Sequence, residues 1–421
     1  MINHKFIYSL ALLILFPFAF VYFLYLGIKK SDFDQIRNRL GFISQICEKN
    51  DICVHCSSLG EVNGAKEFIK EIRKNNNILI STNTISGRKR ARELFPKIDV
   101  LYFPLDYKFF VSNWLRRVNI KTMLIYETEI WPNFYKICKK ENIKLVIINA
   151  RLQKNLHKKK FIKNIYLEAL KNCNLVMCKS DYEKQKYLRL GLKNEILLTV
   201  GNLKYAYNFD TKKDRNNFLG NYFLMASTHD PDEKKFLQAI KDLNNDGIGT
   251  VIAPRHIERA NAVANFFKKN GISTIFLSNN YDSVLKGSFD FRSILIIDTF
   301  GDLQDFYSSA KYVYVGGGYS KRGVQNIIEP SVHGRPILVG PNVDNFYDEI
   351  MNLKKLKGML SIEDNKNISD QENIAQHIKK YSKLSDEDLS EIGEVARAYT
   401  LKFKDIVEKY LISLKENNII N

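Results

Sequence analysis

His55-Cys-Ser-Ser-Leu-Gly-Glu-Val-Asn-Gly64 joins a short apolar run to a helical pattern, with a glycine between them that allows a tight turn. Ile52 and Val54 before it indicate a buried strand, and after it apolar residues recur at helical spacing. These are Val62, Ala65, Phe68, Ile69 and Ile72. The stretch therefore predicts a strand-turn-helix unit, and in open α/β sheets such turns line the ligand crevice.

Glu61 falls in the first turn of the predicted helix and therefore beside that crevice. Its carboxylate could accept a proton in a reaction, or it could only complement the helix dipole, which stabilises by about 0.3–1 kcal/mol. The stretch alone favours the dipole interpretation. The rest of the chain favours the catalytic one.

Strand and helix patterns alternate in two series along the 421 residues, a length that allows two full cores. The first series has further predicted strands at 78–83, 100–106, 122–127, 145–151, 173–179 and 196–204. The second has them at 222–227, 249–254, 274–277, 293–298, 312–316 and 336–340. Two such series predict an α/β fold of two doubly wound Rossmann-like domains facing a cleft.

The predicted domain boundaries follow changes in composition. Residues 1–30 form a membrane anchor, 31–209 a first domain, 210–217 a polar linker and 218–395 a second domain. Residues 396–421 are expected to form terminal helices that pack back on the first domain.

The anchor prediction rests on 23 uncharged residues from Phe6 to Ile28, close to the roughly 20 that cross a bilayer. Basic residues follow at Lys29, Lys30, Arg37 and Arg39. The positive-inside rule therefore predicts a single-pass anchor with the main body of the chain in the cytoplasm.

The net charge of +18 requires an anionic partner, which could be nucleic acid, a membrane surface or a phosphorylated small molecule. Between Lys136 and Lys163, ten Lys or Arg oppose one acid, Glu141. This run, which includes Lys158, Lys159 and Lys160 near its end, is either a solvated face or a face for an anionic lipid surface.

Metal and disulfide sites are not expected. Six cysteines are spread thinly over the chain, and Cys53 and Cys56 point to opposite faces of a strand. The histidines His229, His256 and His333 lack metal-ligand spacing.

Two further segments carry candidate functional groups directly after a predicted strand. Glu127 and Glu129 follow one strand, where they could either serve chemistry or cap the helix that Pro132 begins. The loop Gly316-Gly-Gly-Tyr-Ser-Lys-Arg-Gly323 follows another and could approach a phosphate, although it matches no standard motif. Glu329 beyond it could accept hydrogen bonds from a ribose diol, while Lys204 and Arg255 could neutralise phosphate.

These segments, taken together, resemble the motif series of the 3-deoxy-D-manno-octulosonic acid (Kdo) transferases over nearly the whole chain and in that family's order. The matching segments are His55-x-x-Ser58-x-Gly60-Glu61, Glu127-Thr-Glu-Ile-Trp-Pro-Asn133, Asn149-Ala-Arg151, Gly201-Asn-Leu-Lys204, Ala226-Ser-Thr-His229, Pro254-Arg-His256, Asp298-Thr-x-Gly-Asp302, Val315-Gly-Gly317 and Asn326-Ile-Ile-Glu329. The resemblance implies a metal-independent, cofactor-free GT-B glycosyltransferase at the bacterial inner membrane, which moves Kdo from CMP-Kdo to a tetraacylated lipid A precursor.

By motif position, the resemblance implies that Glu61 is the catalytic base and that Glu127 and Lys204 stabilise the transition state. It implies that the first domain binds the acceptor and the second binds the CMP-sugar. It places CMP at Pro254, Arg255, Phe300, Gly301, Asp302, Asn326, Ile327, Ile328 and Glu329. The chain departs from the family where Val324-Gln325 replaces Gly-His and Phe300 replaces Met, which affects fine donor contacts.

Two other functions remain open at this stage. One is a GT-B transferase or epimerase that uses a nucleotide diphosphate sugar. The other is a membrane-tethered protein that binds nucleic acid through its basic face, although the chain lacks a helix-turn-helix, zinc or RNA-binding signature.

Overall fold

The computed structural model describes residues 4–43, 50–152, 160–206, 221–285, 292–363, 365 and 367–420. The chain divides into an N-terminal unit of Met1–Tyr207 with Asp405–Asn421, and a C-terminal unit of Asn208–Lys404. The predicted linker at 210–217 lies outside the described residues.

The N-terminal unit contains a seven-stranded sheet whose paired strands are all parallel, in the order β3-β2-β1-β4-β5-β6-β7. Its strands are β1 (Ile52–His55), β2 (Ile78–Thr82), β3 (Val100–Tyr102), β4 (Thr122–Tyr126), β5 (Lys144–Ala150), β6 (Leu175–Cys178) and β7 (Leu197–Thr199). Its helices before the second unit are α1 (His4–Lys29), α2 (Asp34–Arg39), α3 (Leu59–Ile72), α4 (Ile85–Leu94), α5 (Lys108–Val118), α6 (Pro132–Lys140), α7 (Lys160–Leu170) and α8 (Asp181–Leu190).

The C-terminal unit contains a six-stranded parallel sheet in the order β10-β11-β9-β8-β12-β13. Its strands are β8 (Tyr222–Thr228), β9 (Gly249–Pro254), β10 (Thr274–Phe276), β11 (Ile294–Ile296), β12 (Tyr312–Val315) and β13 (Ile337–Val339). Its helices are α9 (Asp232–Lys235), α10 (Leu237–Asn245), α11 (Ala260–Lys269), α12 (Leu277–Leu285), α13 (Leu303–Tyr307), α14 (Ile328–Val332), α15 (Tyr347–Lys355), α16 (Asp370–Ser382) and α17 (Asp386–Leu401).

The boundary predicted at residue 395 is wrong, because α17 continues through it to Leu401 and packs against α14 of its own unit. Only the last segment returns to the N-terminal unit. It carries α18 (Ile406–Glu416), which contacts α3.

Helices cover both faces of each parallel sheet, so most strands read as continuous apolar runs and are buried, whereas the edge strands β7 and β10 are partly exposed. The close packing of α3 on β4 explains one glycine of the opening stretch. A Cβ atom on Gly64 would lie 2.6 Å from the Tyr126 hydroxyl oxygen. The small residue is therefore needed for α3 to approach the sheet, which fixes where the first turn of α3 lies.

α1 is the one helix of the described residues that is long and apolar enough to cross a membrane, as the sequence predicts for its anchor.

Candidate functional site

The strand order of the N-terminal unit reverses between β1 and β4, which lie side by side. Ligands of doubly wound sheets bind outside the carboxyl ends of the strands at such a switch point. Glu61 lies in the first turn of the helix that follows β1, and Glu127 directly follows β4. The topology therefore brings together two carboxylates that are 66 residues apart in the chain.

Glu61 is only partly exposed and its carboxylate is held by the turn before α3. The backbone N–H of Ser57 donates to Glu61 Oε2 at 2.7 Å, and the Ser58 hydroxyl lies 3.4 Å from Oε1. Burial, followed by the negative charge of Glu127, raises the pKa of Glu61 to about 8. A carboxylate with a pKa near the working pH is suited to accept a proton.

The pKa of Glu127 is shifted in the opposite direction from that of Glu61. Its Oε1 lies 3.3 Å from Lys204 Nζ, and 17% of its side chain is exposed against 33% for the lysine. Burial alone would raise the pKa of Glu127, but the charges of Lys204, Arg151 and Lys179 outweigh it and hold that pKa below its usual value. The site therefore combines a carboxyl that holds its proton at neutral pH with one that stays ionised.

The backbone at this edge of the sheet adopts a conformation that side chains rarely take. Glu127 has φ +60° and Asn149, at the end of β5, has φ +51°. Left-handed residues other than glycine cost free energy and persist where the surrounding structure imposes them, commonly at functional sites. The pairing of β5 with β6 also shifts register between Ile147 and Ala150.

Asn149 connects the strand ends to the loop that carries Lys204. Its side chain accepts a hydrogen bond from the N–H of Leu203 at 3.0 Å and donates one to the Tyr126 hydroxyl at 2.9 Å. Tyr410 of α18 completes this arrangement, because its hydroxyl donates to the Gly201 carbonyl at 2.8 Å and accepts from the Asn149 N–H at 3.2 Å.

Replacing Tyr410 with phenylalanine is expected to lower the free energy of unfolding by about 1–3 kcal/mol, since the buried Asn149 N–H and the half-buried Gly201 carbonyl both lose the hydroxyl that they bond. Tyr187→Phe is the matched control, because Tyr187 is buried in the same unit and its hydroxyl has no hydrogen-bond partner among the described residues. Chemical denaturation of both variants measures the difference. Equal losses in the two variants would contradict a bridging role for the Tyr410 hydroxyl.

Glu129 lies two residues after Glu127, but its carboxylate contacts other side chains. Its Oε2 accepts from Asn83 Nδ2 and from Trp131 Nε1, both at 2.9 Å, and lies 4.0 Å from Nε2 of the buried His55. Burial would raise the pKa of Glu129, but His55 first, then Trp131 and Ser57, hold that pKa below its usual value. Glu129 therefore organises the loop before α6, and Asn83 was not identified from the sequence.

In the C-terminal unit the strand order reverses between β8 and β12. A Cβ atom on Gly316, just after β12, would lie 2.5 Å from the carbonyl oxygen of Ser227, and one on Gly317 would lie 2.3 Å from that of Gly323. Backbone packing within the unit therefore explains these glycines without a phosphate. Buried Asp232, which the sequence did not single out, accepts from the Gly317 N–H at 2.7 Å.

Glu329 lies in α14, surrounded by polar groups of the same unit. Asn326 Nδ2 donates to its Oε1 at 2.9 Å, and the Tyr307 hydroxyl lies 3.2 Å from its Oε2. Burial raises the pKa of Glu329, while Asn326, Tyr307 and the charge of Arg255 act in the other direction. The structure thus brings together Glu329, Asn326 and Arg255, three of the residues that the motif resemblance assigned to CMP.

The remaining predicted CMP residues lie on neighbouring strand ends and loops. Pro254 ends β9, while Ile327 and Ile328 are buried around the start of α14. Phe300 is 89% exposed, Gly301 has φ +96°, and Asp302 accepts from the Tyr281 hydroxyl at 3.1 Å.

Basic side chains also gather near these strand ends. Arg322 Nη1 lies 3.0 Å from His256 Nε2, and the rings of His229 and His256 are 5.8 Å apart. Burial, with a smaller contribution from Arg322, lowers the pKa of His229. Of the predicted basic face, Lys158 and Lys159 lie outside the described residues, as does the side chain of Lys160.

Comparisons with known proteins agree with the motif series. A family model described as 3-deoxy-D-manno-octulosonic-acid transferase (kdotransferase) matches residues 34–207. The chain is 27% identical to a bifunctional glycosyltransferase/methyltransferase of Fusobacterium nucleatum over 90% of this chain, and it spans 59% of that relative. It is 26% identical to the 3-deoxy-D-manno-octulosonic acid transferase of Haemophilus influenzae over 85% of this chain and 87% of the relative.

Solved structures show the same fold. A glycosyltransferase from Rickettsia africae covers 89% of this chain and 100% of its own, with a TM-score of 0.62 and 16% identity. A UDP-GlcNAc 2-epimerase from Neisseria meningitidis, bound to UDP-GlcNAc, covers 87% of this chain and 100% of its own, with a TM-score of 0.57 and 12% identity. The predicted fold class of two Rossmann-like α/β domains is therefore confirmed.

Proposed function

Because the chain belongs to the 3-deoxy-D-manno-octulosonic acid (Kdo) transferase family of GT-B glycosyltransferases, we propose that it transfers Kdo from CMP-Kdo to a tetraacylated lipid A precursor in lipopolysaccharide biosynthesis. The observation that carries the proposal is the pair of unlike carboxyls at the switch point. Glu61, with its raised pKa, lies beside the ionised Glu127–Lys204 pair.

In the proposed reaction an acceptor hydroxyl attacks the anomeric carbon of Kdo. The new C–O bond forms as the bond from that carbon to the phosphate oxygen breaks, and CMP leaves with the electron pair. Glu61 takes the proton of the hydroxyl. Lys204 and Glu127 stabilise the transition state, with Glu127 holding the lysine in place at 3.3 Å.

The C-terminal unit is proposed to bind the donor. Arg255, with His256 and Arg322 nearby, supplies positive charge for a phosphate. Glu329 is proposed to accept hydrogen bonds from the ribose diol. Since the guanidinium cations of Arg255 and Arg322 belong to the protein, we expect no requirement for a divalent ion.

The direct test is incubation of the full chain with CMP-Kdo and the tetraacylated lipid A precursor, followed by mass analysis of the lipid and assay of released CMP. Adding EDTA tests the independence from metal. Tight binding of UDP but not CMP would favour the nucleotide diphosphate sugar alternative, and steep salt-dependent binding of duplex DNA would favour the nucleic-acid alternative.

The activity should rise with pH through about 8. A base works in its ionised form, so protonation of Glu61 below its pKa of about 8 removes the active species. The acid limb of kcat/KM should therefore have its midpoint near that pH. Replacing Glu127 with glutamine removes the negative charge that raises the Glu61 pKa, so the limb should move to lower pH even as the rate falls. An unchanged limb in Glu127→Gln would contradict the assignment.

Replacing Glu329 with alanine should weaken CMP binding about ten- to hundredfold, because a lost charge-assisted hydrogen bond costs about 1.5–3 kcal/mol. Glu391→Ala, at an exposed position of α17, is the control for an acid removed from the same unit. Calorimetry with CMP measures both variants. Unchanged affinity in Glu329→Ala would remove this residue from the nucleotide site.

We further propose that the chain works at the inner membrane with both units in the cytoplasm. The apolar α1 and the net charge of +18 support attachment to an anionic bilayer. In this proposal the basic run between Lys136 and Lys163 faces the acceptor's phosphates.

A further inference from the structure

One face of α1 packs along the N-terminal unit over most of the length of the helix. The Tyr8 hydroxyl donates to Asp106 Oδ2 at 2.7 Å, near the start of the helix. One turn on, the Tyr107 hydroxyl donates to the carbonyl of Leu12. The ring of Phe16 then lies 5.3 Å from that of Tyr107.

The same face continues to the other end of the helix. The guanidinium of Arg39 lies 4.1 Å from the centre of the Phe23 ring, and Gly27 is buried beside the turn at Asp32. At 1.5 Å per residue, the contacts from Tyr8 to Phe23 extend over about 22 Å. α1 therefore lies along the surface of its unit rather than projecting from it.

This arrangement conflicts with a single crossing of the bilayer. If Lys29 lay at the cytoplasmic surface, Tyr8 would lie about 32 Å away, at the opposite side of a hydrocarbon core about 30 Å thick. Asp106, which accepts a hydrogen bond from Tyr8, would then also have to lie at the far side of the bilayer. Asp106 belongs to the folded domain, where its carboxylate accepts from the backbone N–H groups of Asn133 and Phe134 at 2.9 and 2.7 Å.

The opposite face of α1 is apolar and exposed. It presents Leu13, Ile14, Phe18, Val21, Tyr25 and Ile28, each more than half exposed. Beside the start of the helix, a cavity of about 390 Å³ is lined by three lysines and one acid, Lys108, Lys136, Lys171 and Glu168, together with Tyr8. An apolar helix face flanked by lysines matches the interface of an anionic bilayer, where acyl chains meet phosphate groups.

We propose that α1 attaches the chain to the membrane by lying in the plane of the anionic cytoplasmic leaflet, with its packed face toward the N-terminal unit and its exposed face in the lipid. This inference rests on the proposed membrane attachment and replaces the single crossing expected from composition. Both ends of α1 then lie on the cytoplasmic side. The basic face of the same unit is held at the lipid surface.

The test places single cysteines before and after α1, as Asn3→Cys and Lys30→Cys in the full chain, and labels them with a membrane-impermeant maleimide. The parent chain is the background control, since the five cysteines of the described residues are buried. Labelling is compared between sphaeroplasts, which expose the periplasmic face, and inverted membrane vesicles, which expose the cytoplasmic face. We expect both positions to react in inverted vesicles and neither in sphaeroplasts.

Reaction of Asn3→Cys in sphaeroplasts would show that α1 crosses the bilayer and would overturn the in-plane arrangement alone. Flotation with vesicles of phosphatidylglycerol and phosphatidylethanolamine tests attachment separately. The parent should float, and Phe18→Asp on the exposed face should lower the bound fraction at least tenfold. A parent that does not float would overturn the attachment itself, whatever its transferase activity.

Discussion

Replacing Glu61 with glutamine is expected to lower kcat by about 10²–10⁴-fold, the usual contribution of a general base. The substitution keeps the shape of the side chain and one acceptor for the Ser57 N–H, which now bonds Glu61 at 2.7 Å. It removes only basicity. Affinity for CMP should stay within about twofold, because the proposed nucleotide site lies in the other unit and the exchange is nearly isosteric.

The matched control is Glu71→Gln on the same helix, where the carboxylate pairs with Lys74 at 2.7 Å on the surface. It should leave kcat unchanged. If Glu61 only complemented the dipole of α3, its replacement would cost about 0.3–1 kcal/mol of stability and no turnover. A Glu61→Gln enzyme that retains more than a tenth of parental kcat, in an assay limited by chemistry, would place the base elsewhere. Glu127 would be the next candidate.

The sequence located the candidate catalytic groups because each follows a strand. An apolar run that ends in a turn identifies a strand's carboxyl end, and parallel sheets collect those ends at one edge. Glu61, Glu127 and Lys204 could therefore be named before their distances were known. The opposite ionisation of Glu61 and Glu127 could not be predicted, because it depends on burial and on Arg151 and Lys179 lying near Glu127 in space.

Contacts between distant segments gave no sequence signal. Tyr410 supports the loop of Lys204 from 206 positions further along the chain. The terminal helices were expected to return to the first domain, but no pattern indicated that Tyr410 would reach this loop. The domain boundary was misplaced because α17 and α18 are both amphipathic, which does not show that they pack on different units. Hydropathy likewise found α1 but could not show that one of its faces packs against Asp106 and Tyr107.

Replacing Lys204 with methionine should lower kcat by about 10²–10³-fold, the typical cost of removing one preorganised donor from a site of developing charge. Methionine fills a similar volume, so the loop that Asn149 holds should keep its shape. The lost cation has a second effect. The charge of Lys204 lowers the pKa of Glu61, so its removal should raise that pKa further and move the acid limb of kcat/KM to higher pH.

Measuring kcat together with the acid limb of kcat/KM separates electrostatic stabilisation from a structural role. A loosened loop would lower stability without moving the acid limb. Lys193→Met is the control, since Lys193 is exposed and lies before the amino end of β7, whereas Lys204 follows its carboxyl end. It should change neither kcat nor the pH profile. A Lys204→Met enzyme within threefold of parental kcat and with an unmoved acid limb would show that the Glu127–Lys204 pair serves the fold rather than the transition state. Unchanged kcat with a shifted limb would mean that Lys204 acts on Glu61 alone, leaving the departing phosphate to the cations of the C-terminal unit.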